Sequence, residues 1–406
     1  MIWSLTVALL FSLSGAYGAG LTTAYDDDGT ITVNGKRTFI LGSYHYGKKD
    51  PEAALRELAE AGFNLVNSGA DATAMDQAQA AGLMVWTGVG TLDLANRETS
   101  AAKLRANVEA VKNHPALAFL ETVDEPAWTW EKAEPRTPAQ ALIEAYPLIK
   151  QADAKHLLYT NHAPTNLEKT LMAYNPGTDI VACDIYPVNP GGIKYMYALF
   201  PDGHQGDLNN EHISQVGEYT AKMRRVAGPN RPVFMVLQAF AWEALLPAQE
   251  QRQEKILFPS YAQTRFMAYQ AIINGANGIL YWGSDYLPQP SQAWTDLKRV
   301  VRELADLAEP LAAHTVQIPV DVDYHEMGHS VDDGLQVLAK EHDTKLYLLT
   351  CNADKNLCKA TLSLKPSAGT WTTCRVLSED RTLPLEQSSI TDTWKRFDTH
   401  VYELTP

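Results

Sequence analysis

Ala116-Leu-Ala-Phe-Leu-Glu-Thr-Val-Asp-Glu-Pro126 is the stretch from which the rest of the chain is best read. It opens as a short apolar run, the mark of a strand buried on both faces. It closes by setting two neighbouring carboxylates, Asp124 and Glu125, directly before a proline. Pro126 has no amide hydrogen and turns the chain out of the strand. Carboxylates at the end of a buried strand cost free energy unless water, a partner or a substrate reaches them. Parallel α/β folds place their chemistry at strand ends. An ordinary solvated turn would use the same residues, so the other strands have to decide.

Outward from this stretch the pattern is regular. Apolar segments at Phe39–Tyr46, Phe63–Gly69, Leu83–Gly90, Ala116–Glu125, His156–His162, Ile180–Val188, Pro232–Phe240 and Gly278–Tyr286 read as strands. Amphipathic stretches such as Pro51–Ala61 and Tyr261–Ile273 fill the gaps as helices. Eight such units predict a (β/α)8 TIM barrel of α/β class. A doubly wound open sheet is the alternative, but no Gly-rich phosphate turn follows the first strand. Thr30–Thr38 predicts a β-hairpin turning at Asn34-Gly35. From Thr315 short alternating strands replace the βα pattern and predict a small C-terminal β-sandwich. The expected organisation is therefore a signal peptide over 1–18, a barrel with its hairpin over 19–312, and the sandwich over 313–406.

With 406 residues, 45% of them hydrophobic and 20% charged, the chain has an ordinary globular composition. A formal charge of −14 argues against nucleic acid or an anionic membrane as partner. The signal-like segment carries an apolar core and an Ala16-Tyr-Gly18 cleavage site, so the expected location is secreted or periplasmic. No later segment is apolar for long enough to span a membrane. Of the four cysteines, Cys351, Cys358 and Cys374 fall in the C-terminal region, and export predicts one disulfide among them. Cys183 reads as a buried thiol.

The predicted strand ends carry Tyr44, His45, Asn67, Asp124, Glu125, Asn161, His162, Asp184, Tyr186, Gln238, Trp282 and Asp285, while the strand bodies are apolar. The following loops add Trp128, Trp130 and Trp242. Aromatic rings beside carboxylates and amides suit a sugar, whose C–H face stacks while its hydroxyls take polar partners. Trp86 and Trp294 read as core.

Several short motifs, in order, make the chain resemble the large superfamily of (β/α)8 glycoside hydrolases related to β-galactosidases and cellulases. They are Ile31-Thr-Val-Asn-Gly-Lys36, Ala61-Gly-Phe-Asn-Leu-Val66, Asp124-Glu-Pro126, Asp184-Ile-Tyr-Pro187 and Gly278-Ile-Leu-Tyr-Trp282. The resemblance implies a carbohydrate substrate, no cofactor, and Glu125 as general acid/base. It also exposes two departures. Asp124 stands where that superfamily usually has Asn, and Gln238 where it has the nucleophilic Glu. An amide forms no glycosyl ester, so Glu243 or Asp184 is the expected replacement, with Gln238 left to bind the sugar. β-N-acetylhexosaminidases, which carry an Asp-Glu pair and use the substrate's acetamido oxygen, offer a second reading of Asp124-Glu125. A barrel that binds glycans without cleaving them is the third.

His325-Glu-Met-Gly-His329 matches the H-E-x-x-H zinc pattern. That chemistry needs a helix, and the alternating residues before it with Gly328 inside it read as strand and turn. No metal site is expected.

Overall fold

Eight parallel strands do close on themselves, and what fills the cylinder follows from side-chain alternation. The computed structural model describes residues 20–128, 134–190, 210, 212–325, 334–365 and 371–406. A three-stranded antiparallel sheet comes first: β1 (Thr23–Tyr25), β2 (Ile31–Val33) and β3 (Lys36–Arg37). Asn34 and Gly35 both have positive φ, as the expected turn requires. The barrel strands are β4 (Ile40–Ser43), β5 (Leu65–Asn67), β6 (Met84–Gly88) and β7 (Leu117–Glu121), then β8 (Leu157–His162), β9 (Ile180–Ile185), β10 (Val233–Gln238) and β11 (Gly278–Trp282). Pairing of β11 with β4 closes the ring.

Along β10, Phe234 and Val236 point into the barrel while Val233, Met235 and Leu237 face the helices. The interior cluster also takes Leu21 and Ile31 from the N-terminal sheet, which therefore plugs one end. Thr23 pins it there, its hydroxyl donating to the Ala118 carbonyl at 2.9 Å. Gly278 is required by packing, since a Cβ would lie 2.8 Å from the Phe234 ring. The opposite, C-terminal strand ends stay open and carry the acids.

The C-terminal region folds as two antiparallel sheets. One contains β12 (Val320–Tyr324), β15 (Cys358–Leu364) and β18 (Ser389–Trp394). The other contains β13 (Leu335–His342), β14 (Lys345–Asn352), β16 (Thr373–Val376), β17 (Arg381–Leu383) and β19 (Thr399–Thr405). Strands β17 and β18 were not legible: Ser389-Ile-Thr-Asp-Thr-Trp394 buries only Ile390 and Trp394. The expected disulfide is corrected. All four cysteines are buried and no two of them are joined in a disulfide; β14 and β15 enter different sheets. Cys351 packs with the barrel helices, whereas Cys358 and Cys374 face the core between the sheets. His325 ends β12 and meets the Thr361 hydroxyl at 2.8 Å; the rest of the H-E-x-x-H pattern lies outside the described residues.

A buried ion pair fastens barrel to C-terminal sheets. Arg265, in the helix Tyr261–Ile273, meets Glu303 of the helix Gln292–Asp306 at 2.8 Å. Arg265 also donates to the Thr399 carbonyl of β19, and the hydroxyls of Tyr261 and Tyr269 donate to Glu303. Removing one partner strands the other charge in a dry site. Glu303→Ala is therefore expected to cost about 3–5 kcal/mol in urea unfolding. A Glu303→Leu/Arg265→Met double variant should recover much of it, and equal losses in both variants would refute the ion-pair account.

Candidate active site

Two layers of polar side chains occupy the open end. The lower layer sits just above the apolar fill. Tyr44 and Tyr159 meet hydroxyl to hydroxyl at 2.5 Å, and the Tyr44 ring stands edge-on to Trp86. The Trp86 indole donates to Glu121 at 3.1 Å. Glu121 is buried, and desolvation, then the charge of Asp124, pushes its carboxyl up to about 8. It is thus neutral around pH 7.

The upper layer holds Asp124, Glu125, Asn161 and Asp184. Pro126 bends the chain after β7, and Glu125 takes a φ of 43°, a left-handed conformation that non-glycine residues seldom adopt. Such strain costs about 1–3 kcal/mol and collects at functional sites. The Glu125 amide donates to the Asn161 carbonyl at 3.0 Å, which fixes the bend. The Asn161 side-chain amide donates to Asp124 at 3.0 Å and to Asp184 at 3.2 Å, holding the two acids on either side of it.

Glu125 accepts from Arg136 at 2.9 Å, with Asp184 close enough to interact with it. Desolvation, then the neighbouring Asp124 charge, raises Glu125 to about 7, against the opposing pull of Arg136. Burial raises Asp184 well above the carboxylate range, with Glu125 and Asp124 adding to the effect. Asp124 is exposed as a residue, yet its carboxyl lies in the concave mouth, where protein displaces enough water to raise it as well.

Aromatic residues form one wall. Tyr186 lies among Phe240, Trp242 and Trp282, with ring centroids 5.0–6.1 Å away. Trp282 also stacks on Tyr286 and meets His45 edge-on at 5.3 Å. The His45 Nδ1 accepts from the Gly283 amide at 3.2 Å, leaving Nε2 to carry the proton. Burial lowers its pKa and Lys48 lowers it further, while exposed Asp285 opposes them. Asn67 is half-buried and accepts from the Gly69 amide.

Four expected site residues are corrected. Gln238 is fully buried: its oxygen accepts from the Val188 amide, and its nitrogen donates to the carbonyls of Val188 and Phe240. Both amide hydrogens are spent on the backbone, so it clamps the chain after β9 and offers a sugar no donor. Glu243 folds away into an ion pair with Arg252 at 2.7 Å, and the Arg252 contacts hold its carboxyl down at about 2. His162 is the alternate residue to Asn161 along β8, so it faces the helix layer beside Tyr174, fully buried. Burial and then Lys222 depress its pKa to about 3. Trp128 is buried and presents no open face, and Trp130 lies outside the described residues.

Arg136 and Glu121 were missed. Nothing in the sequence marks an arginine eleven positions after Glu125 as its partner. Glu121 did leave a signal, as the single charge within the apolar run of β7.

The sequence matches no protein-family profile and no curated protein. Solved structures do share its fold. One described as a glycoside hydrolase superposes with a TM-score of 0.61 and 12% identity, over 96% of this chain and 98% of that one. A family 5 glycoside hydrolase from Bacteroides vulgatus gives 0.62 at 12% identity, over 96% and 94%. A family 27 β-L-arabinopyranosidase from Geobacillus stearothermophilus gives 0.58 at 11% identity, over 91% and 97%. At such identities the likeness establishes the (β/α)8 barrel architecture that this chain has in common with those hydrolases.

Proposed function

We propose that this chain is a glycoside hydrolase whose mouth cleaves an O-glycosidic bond, with Glu125 as the general acid/base. One observation carries the reading: a strained Glu125, raised to about 7, stands with Asp184 as its neighbour at the open end of the barrel. An acid that stays protonated near neutrality is what a departing glycosidic oxygen needs. Asp184 is the protein acid left for the opposite side, ionising as positive charge develops beside it, because Gln238 and Glu243 are both committed elsewhere. The wall of Tyr186, Trp242 and Trp282 suits the C–H face of a sugar. The apolar segment 1–18, outside the described residues, supports export.

A second reading has its own support. Asp124 and Glu125 form an adjacent acid pair at the open strand end, and Gln238, in the place of the usual nucleophile, is spent on the backbone. In substrate assistance the acetamido oxygen attacks, Asp124 steadies the charged ring and Glu125 protonates the leaving group. A panel of 4-nitrophenyl glycosides separates the two. Turnover of glucosides, galactosides or xylosides is expected and supports a protein carboxylate, whereas cleavage of N-acetylhexosaminides alone selects the acetamido route. A wild-type enzyme inert on the panel and on polysaccharides would reduce the barrel to a glycan binder.

A further inference from the structure

Beside the acids, on the β6 side, lies a cleft of ≈ 680 Å³, within the size range of small-molecule sites. One wall is the chain after β6, from Gly88 to Asp93; the other is the helix Arg97–Val111. The cleft opens at the catalytic end of the barrel. The Val89 amide donates to the Glu121 carbonyl at 2.8 Å, and Val123, two residues short of Glu125, closes one side. A chain-like ligand whose scissile bond sits at Glu125 would therefore have room to run into it.

We propose that this cleft is a subsite for the part of a glycan chain that extends beyond the bond at Glu125, an inference that rests on the glycosidic reading of the mouth. Its chemistry matches a sugar chain. Val89, Leu92 and Leu104 give a buried apolar floor for C–H faces, and exposed Asn96, Thr99 and Lys103 line the rim where hydroxyls fall. The walls are built before any ligand arrives. Asn107 donates to the Val89 carbonyl and Thr91 to the Ala141 carbonyl, each at 3.0 Å, while the Asp93 amide donates to Ser100 at 3.1 Å. A preformed wall lowers the ordering cost of binding. Among the described residues no aromatic ring lines the cleft, so each sugar there is gripped by hydrogen bonds and modest apolar contact rather than by stacking.

Thr99 gives the test. It is exposed and lines the cleft from the helix Arg97–Val111 rather than from a barrel strand. Thr99→Trp therefore fills the cleft from its rim. The probes are the 4-nitrophenyl monoglycoside turned over fastest by the wild type and the tetrasaccharide of the same sugar. For the tetrasaccharide, kcat/KM is expected to fall about tenfold in Thr99→Trp, with the aryl monoglycoside unchanged, since only remote binding is lost. Thr99→Ala/Lys103→Ala, which leaves the floor intact, should give a smaller loss, again on the tetrasaccharide alone. Unchanged tetrasaccharide kinetics beside normal aryl turnover overturns the subsite and leaves the function standing. Equal losses on both substrates overturn it too, because a subsite outside the reacting sugar cannot affect the monoglycoside. Absence of any glycosidase activity in the wild type removes both.

Discussion

Glu125→Gln is expected to lower kcat on a natural glycoside by roughly 10²–10⁴, the usual worth of a general acid. The substitution keeps length and shape, so the contact with Arg136 at 2.9 Å survives as a neutral hydrogen bond and the fold is spared. What disappears is the proton. An aryl glycoside with an acidic leaving group needs little protonation, and its glycosylation step should suffer far less. The pH profile gives an independent reading. Glu125 is raised to about 7 by desolvation and by Asp124, so a general acid there is increasingly deprotonated above neutrality. The alkaline limb of kcat on natural substrates should fall through that region and vanish in Glu125→Gln. Full activity of the variant on a natural linkage would remove Glu125 from the mechanism.

The barrel was legible because its signal is repetitive. Each of the eight apolar runs contains one observed strand, and Asn34-Gly35 fixed the hairpin. Asp124 and Glu125 were legible because charge at a buried strand end is costly and so conspicuous. Three neighbours were misread for one shared reason. Sequence position shows that a polar residue ends a strand, but not which face it takes or whether the backbone has already claimed it. His162 and Asn161 are adjacent, yet β alternation sends one to the helices and the other to the acids. Gln238 has the position of a substrate ligand and the bonding of a clamp, because the loop after β9 returns to it. Glu243 was lost to Arg252, nine residues on, across a loop whose path no periodicity encodes.

Asp184→Asn should separate catalysis from stability. If the buried carboxylate supplies the charge that the transition state needs, its amide is expected to cost about 10²–10³ in kcat, the scale of losing one oriented electrostatic partner. That loss should appear on every substrate, whereas retained cleavage of 2-acetamido sugars would move the charge onto the substrate. Stability should move the other way. Desolvation raises Asp184, and the Glu125 and Asp124 charges raise it further, so the folded protein keeps protons that the unfolded chain has released. A raised carboxyl contributes its full stability below its unfolded value and loses it as pH climbs through the folded one. Glu121, near 8, and Glu125, near 7, carry the same sign. His45 and His162, both depressed from 6.5, oppose it, but only as pH falls below that value. The clean window for this cluster is therefore pH 6.5 to about 8. Across it wild-type Tm should fall, and Asp184→Asn, freed of one buried acid, should melt higher at pH 8 with a shallower slope. Such a gain in stability at the expense of activity is the pattern of a site held together against its own charge. Identical slopes in the two proteins would mean that Asp184 ionises no differently when folded, and would sink the account of its buried ionisation.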